Sequence, residues 1–403
     1  MKKKGMRYGT VFFLLVATAF VTAVGTYFYV SRLVDGLGRN QQIYTKLNKV
    51  NELINNYYIL TIDPVSGNDI ILDGITDGYI QGLNDEYAYY LNEKNYRLAS
   101  NLTDASRVGI GIRAGFEKES EEILVEFVSW GSPAEAAGIR AGDVITQIDG
   151  IPVTEIGYRT AVASLSGALD STVTLTVRRS GQVSLLNFVI ARTTFESKTV
   201  ESRVVENGIG YLFINEFSSK TASELSAALN SLRGLGCNSY ILDVRFNEGG
   251  DLNGMLAALD LLMPSGIMVS VREKSSEEPV SYYSDEKSLT EPFVLLQNRK
   301  TSDVAEVFTS ALRDTQTAEI VGTVSRGKGV GQRDIPLSDG TAIHISTYEY
   351  ITPSGERFNG IGIAPNQNVS LSEEKENNFF DLDAAEDDQL QAAIRLLTEQ
   401  MGN

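Results

Sequence analysis

Apolar positions follow four successive patterns along this chain. Residues 8–30 contain no charge over 23 positions, enough to cross a bilayer as a helix. Residues 38–100 then place Leu47, Val50, Leu53 and Ile54 at helical spacing, followed by Ile70, Ile71, Ile75, Tyr79, Ile80 and Leu83. Tyr87, Tyr89 and Tyr90 read as packing residues. From 105 to 192 the pattern shortens to strands and turns. Residues 123–128 are rich in β-branched side chains, residues 143–148 end on Asp149-Gly150, and residues 172–177 alternate with period two. Between them Ser132 caps a short helix, Pro133 opens it and Gly138 ends it. From 200 to 372 strands (209–214, 240–245, 293–297) alternate with helices (223–232, 303–313), which predicts an α/β domain. An acidic stretch, 373–388, reads as a solvated linker before an amphipathic helix with Leu390, Ile394 and Leu397 on one side.

The expected organisation is therefore a mixed α/β protein in five parts. These are a basic tip and transmembrane anchor (1–32), a helical region (33–104), a small β domain (105–192), an α/β core (193–372) and a linker with a final helix (373–403). Lys2, Lys3, Lys4 and Arg7 precede the apolar run, and Tyr27, Phe28 and Tyr29 close it. That charge bias predicts a single-pass anchor in the cell membrane, N-terminus in the cytoplasm and the main domains outside. The run is longer than a signal-peptide core and lacks a small-residue cleavage site, so retention is expected over cleavage.

Net charge is −17, and removing the +4 of the first seven residues leaves −21. Such a surface repels nucleic acid, which excludes that class of partner. Cys237 is the single cysteine and His344 the single histidine. Neither a disulfide nor a zinc set follows from them, and no metal or other cofactor is expected. Both read as structural residues near strands.

Three segments carry candidate chemistry. Residues 242–250 end a strand on Gly249-Gly250, a turn that can present backbone N–H groups to an oxyanion. Residues 298–307 pass from strand to helix, with Thr301, Ser302 and Asp303 as capping types at the positive end of a helix dipole. Residues 325–332 hold Lys328 between two glycines, with Gln332 four positions on.

Together these segments resemble the S41 C-terminal processing peptidases. Their motifs L-D-x-R-x-N-x-G-G, N-x-x-[ST]-A-S-x-x-E and G-K-G-x-x-Q match residues 242–250, 298–306 and 327–332. Residues 352–355, 360–365 and 74–87 extend the match. Residues 109–112, 132–138, 141–145 and the strand at 172–177 resemble a PDZ domain. The resemblance implies an acyl-transfer mechanism by a Ser/Lys dyad. In it Lys328 is the base, Gln332 its support, and the N–H groups of Gly249 or Gly250 and of Val304 the oxyanion donors. It also implies that the loop of Gly109, Ile110, Gly111 and Ile112 grips a peptide carboxylate while the peptide adds a strand.

The departure lies at the nucleophile. Ungapped register on Asn298, Thr301, Glu306 and Lys328 puts the family's serine at Asp303 and the preceding alanine at Ser302. A carboxylate has no proton to give the lysine and would pair with it instead. One expectation is a serine-peptidase scaffold turned pseudopeptidase, which binds unfolded proteins or protein C-terminal tails without cutting. The alternative is an active serine endopeptidase that uses Ser302 with Lys328. A homo-oligomer or an active S41 relative stands open as a further partner.

Overall fold

The computed structural model describes residues 8–63, 66–100, 108–195, 197–206 and 208–402; the basic residues at 2–4 and 7 and the start of the small β domain at 105–107 lie outside them. The chain divides into two compact units, residues 1–75 and 76–403. In the first, one helix runs Tyr8–Tyr57. Among the described residues no helix is long and apolar enough to cross a membrane. The side chains of 8–15 and 28–40 are outside that set.

In the second unit the small β domain is a sheet in the order Ile112–Glu117, Glu122–Val128, Val144–Ile148, Thr172–Arg178, Leu186–Ala191. Alternate residues of Glu122–Val128 are buried, which places Ile123, Val125 and Phe127 inward. The Asp149-Gly150 turn takes positive φ at both positions (51° and 80°), the mirror-image turn that matches strand twist. Ser132 accepts from the Glu135 amide and Gly138 closes the helix Pro133–Ala137 at φ 88°, as the capping pattern predicts.

The core holds a six-stranded sheet in the order Val200–Val204, Ile209–Ile214, Ser239–Asp243, Phe293–Gln297, Glu319–Gly322, Gln367–Asn368. All neighbours after the first pair run parallel. Both faces are covered, so these strands read as continuous apolar runs. One face (Leu212, Ile214, Leu242, Leu295, Ile320) packs on helices Thr221–Gly234, Leu252–Asp260 and Val304–Asp314. The other (Tyr211, Phe213, Ile241, Leu296) packs on Leu390, Ala393, Ile394 and Leu397 of helix Asp388–Gly402.

Two expectations change. Tyr89–Leu91 lies within the stretch read as helical, yet forms a strand against Ala342–His344 of a second sheet. Tyr89 stacks on His344 there, with ring centroids 4.4 Å apart. The acidic stretch is not simply a solvated linker. Phe379 and Phe380 pack on Phe246, and Asp387 is buried against the Arg245 guanidinium at 2.8 Å. Local composition is dominated by exposed acids, and only tertiary packing selects the few residues that turn inward.

Candidate active site

Strands Ser239–Asp243 and Phe293–Gln297 are parallel neighbours, so the loops that follow them, 245–250 and 298–303, emerge side by side. Crevices at the carboxyl ends of such strands are where open α/β sheets place their chemistry. Asn298 ties the two loops: its Oδ1 accepts from the Phe246 amide (3.1 Å) and the Lys300 amide (3.0 Å). Thr301 donates its hydroxyl to the Val244 carbonyl at 2.8 Å, and the Ser302 amide donates to the Asn247 carbonyl at 2.9 Å.

Asp303 sits at the turn into helix Val304–Asp314 with φ 59° and ψ −130°. That conformation is strained for a residue with a Cβ, and such strain persists only where the surroundings impose it. It projects the 303 side chain out of the turn, as a nucleophile-bearing strand-to-helix elbow does. Lys328 Nζ donates to Asp303 Oδ2 at 2.6 Å, and the two side chains are 18% and 15% exposed. Tyr350 and the Val304 backbone favour the charged form of this carboxylate. Burial raises the Asp303 pKa above the usual carboxylate value, and the Lys328 charge opposes that rise.

The clamp on this pair is Glu306, fully buried on the first turn of the helix. One of its oxygens accepts from Ser325 Oγ (2.5 Å) and the Gly327 amide (2.6 Å). The other accepts from the Lys328 amide (2.7 Å) and the Asp303 amide (3.0 Å). One carboxylate thus fixes the backbone at both 303 and 328. Burial raises its pKa, opposed by the Ser325 hydroxyl and the amides it holds. Spacing three residues after a cap was the available sequence signal; nothing in it pointed to the lysine loop.

Gly249 and Gly250 border the pair, with φ of 106° and 124°. A Cβ at 249 would lie 2.7 Å from that of Asp303, and one at 250 would lie 2.1 Å from the Phe217 carbonyl oxygen. The Gly249 amide already donates to Asn247 Oδ1 at 2.8 Å. Of the oxyanion donors that the resemblance implies, Gly249 is therefore already engaged. Gln332 does not hydrogen-bond to Lys328. Its amide donates to the Val330 carbonyl and to Ser346 Oγ, both at 3.1 Å. Ser302 is 2% exposed beneath the turn.

Below the loop base lies a buried network the sequence reading did not assign. Arg245 pairs with Asp243 and Asp387 and donates to Gln389 Oε1 at 3.0 Å, with its guanidinium over the Phe379 ring. It ties the turn at 245–250 to the start of the last helix.

In the β domain, Gly109 pairs with Thr193, Ile110 is buried, and Gly111 (φ 80°) packs against Ser132 and the Phe195 ring. Ile112 opens the strand Ile112–Glu117, which pairs on one side with Glu122–Val128 and stands at the edge of its sheet. Two ion pairs connect this domain to the catalytic-type loops: Glu126 with Lys300 at 2.8 Å, and Arg113 with Glu248 at 3.9 Å.

A doubly covered α/β core, fused to a PDZ-type sheet and carrying a lysine at its strand ends, defines a PDZ-bearing peptidase scaffold. Comparison with known proteins agrees. Residues 208–369 match the model of peptidase family S41, and residues 125–179 match that of a PDZ domain. The carboxy-terminal processing protease CtpA of Bacillus subtilis (strain 168) is 31% identical over 378 residues, covering 92% of this chain and 79% of its own. A Staphylococcus aureus protein named "Probable CtpA-like serine protease" is 29% identical, covering 88% and 71%. The photosystem II D1 C-terminal processing protease shares the fold, with a TM-score of 0.60 and 24% identity over 82% of this chain and 88% of its own. The chain belongs to the S41 family of C-terminal processing peptidases.

Proposed function

We propose that this protein is a catalytically impaired S41 homologue that binds protein C-terminal tails at its PDZ domain without cutting them. The observation that carries the reading is the strained elbow at position 303, which aims a carboxylate, not a hydroxyl, at Lys328 Nζ. In an S41 dyad the lysine must accept a proton from the nucleophile. Here its partner is an anion that offers none. Lys328 and Asp303 form an ion pair. Ser302 does not replace it: it is buried one residue away, on a backbone pinned to Asn247.

Peptide capture rests on the edge of Ile112–Glu117 that has no strand partner among the described residues, with Gly109, Ile110, Gly111 and Ile112 at its head. A tail added there gains ladder hydrogen bonds and has its carboxylate next to the glycine loop. The uncharged run 8–30 is the proposed single membrane anchor, with residues after 32 outside the cytoplasm.

The test is proteolysis of an unfolded protein by the full chain in detergent. No turnover is expected from the natural chain, and Asp303→Ser is expected to cut. Turnover by the natural chain that Ser302→Ala abolishes would refute the impaired-enzyme reading. Titration with one peptide as free acid and as amide tests tail capture; equal affinities overturn it. Membrane fractionation with and without residues 8–30 tests the anchor.

A further inference from the structure

The hydrogen bonds of Gln332 go to Val330 and Ser346 and not to Lys328, and the path they start leads back to the lysine by another route. Its amide donates to Ser346 Oγ. The Ser346 amide donates to Asp85 Oδ2 at 3.4 Å, and Asp85 Oδ1 accepts from the Tyr87 amide at 3.0 Å. The Tyr87 ring lies over Lys328 Nζ, 5.0 Å from ring centroid to nitrogen. Two residues on, Tyr89–Leu91 is zipped to Ala342–His344, which fixes the segment to the same long strand that carries Ser346 and Tyr350.

We infer that Tyr87 is a positioning residue: its ring is the wall that holds the Lys328 ammonium against the side chain at 303, and Gln332 acts through it. The inference rests on the reading of 303 and 328 as the peptidase pair, and it assigns the segment 85–91 to that site. An aromatic face attracts a cation through its quadrupole, and more strongly where water is excluded. The phenol stays neutral, because burial pushes its pKa up to about 12, helped by Glu86. The ring face rather than a phenolate therefore meets the ammonium. Lys328 has two anchors, Asp303 Oδ2 at one side and the ring at another, and loss of either frees the amine.

The test is acetylation of Lys328 by sulfosuccinimidyl acetate on the full chain, followed by mass spectrometry of the Lys328 peptide against exposed Lys287 as internal standard. Tyr87→Phe keeps the face and is expected to label as the natural chain does. Tyr87→Met keeps apolar bulk but loses the face, and is expected to label about threefold to tenfold faster. Gln332→Ala is expected to rise about twofold through loosening of Ser346 and Asp85. Thermal melts confirm that each variant is folded. A folded Tyr87→Met protein labelled at the natural rate, or a Tyr87→Phe protein labelled as fast as Tyr87→Met, overturns the inference. Asp303→Asn separates the two readings. Unchanged labelling in that variant refutes the ion pair itself, while the Phe and Met comparison still judges Tyr87.

Discussion

Replacing Glu306 by glutamine keeps its shape and removes its charge, and the four donors around it make the cost calculable. The carboxylate offers an acceptor oxygen to each pair of donors. An amide offers one oxygen and one NH2. Turned toward Lys328 and Asp303, the NH2 would face two N–H groups, neither of which can accept. Turned the other way it meets Ser325 Oγ, which already accepts from the Ile363 amide and must turn its own proton away to accept again, and the Gly327 amide is left unpaired. The second orientation is therefore favoured. It loses one charge-assisted bond to Gly327, weakens the rest and strands a buried donor, each term being about 1–3 kcal/mol. The burial that raises the Glu306 pKa returns part of this, since a neutral side chain has no charge to desolvate. A net loss of about 3 kcal/mol follows, or roughly a hundredfold larger population of the opened loop. Hydrogen exchange read on peptides spanning 325–330 and 303–307 is the assay. Both segments are expected to lose protection together, with the PDZ strands unchanged. Unchanged exchange in Glu306→Gln would refute the view that this carboxylate fixes the distance between 303 and 328.

The other expectations are briefer. Arg245→Met removes one partner of a fully buried set and leaves Asp243 and Asp387 uncompensated, so urea unfolding should show a loss of about 3–5 kcal/mol with early release of the last helix. Gly250→Ala forces a Cβ into the Phe217 carbonyl at a φ of 124°, and should lower stability by more than about 1 kcal/mol while leaving peptide binding at the PDZ edge intact. The pH dependence has a definite sign. Asp303 has a raised pKa in the folded chain, so its contribution is complete below the unfolded value of about 4 and is lost as pH rises through the folded one. Asp303→Asn lacks that loss, and the stability difference from the natural chain should shift in favour of the variant as pH rises above about 4. A shift the other way in denaturation midpoints would mean that pairing with Lys328 outweighs burial.

Much of this protein is written locally. Ser132, Pro133 and Gly138 cap and end a helix through interactions within a few residues, and Asp149-Gly150 needs only its own backbone preferences to turn. The parallel strands are legible because burial on both faces forces unbroken apolar runs. Motif register on Asn298, Thr301, Glu306 and Lys328 is enough to single out position 303 from sequence. Distance in sequence hides the rest. Residue 303 faces Lys328 only because two neighbouring parallel strands end together and Glu306 bridges their loops. Tyr87 reaches the same lysine from more than two hundred residues upstream, from a turn just before the strand Tyr89–Leu91. The resemblance makes Gln332 the lysine's support, yet the strand register shifts between Gly331 and Gln332, and the amide goes to Ser346. Periodicity reports which face a residue occupies; which distant group waits on that face is set by packing of the whole chain.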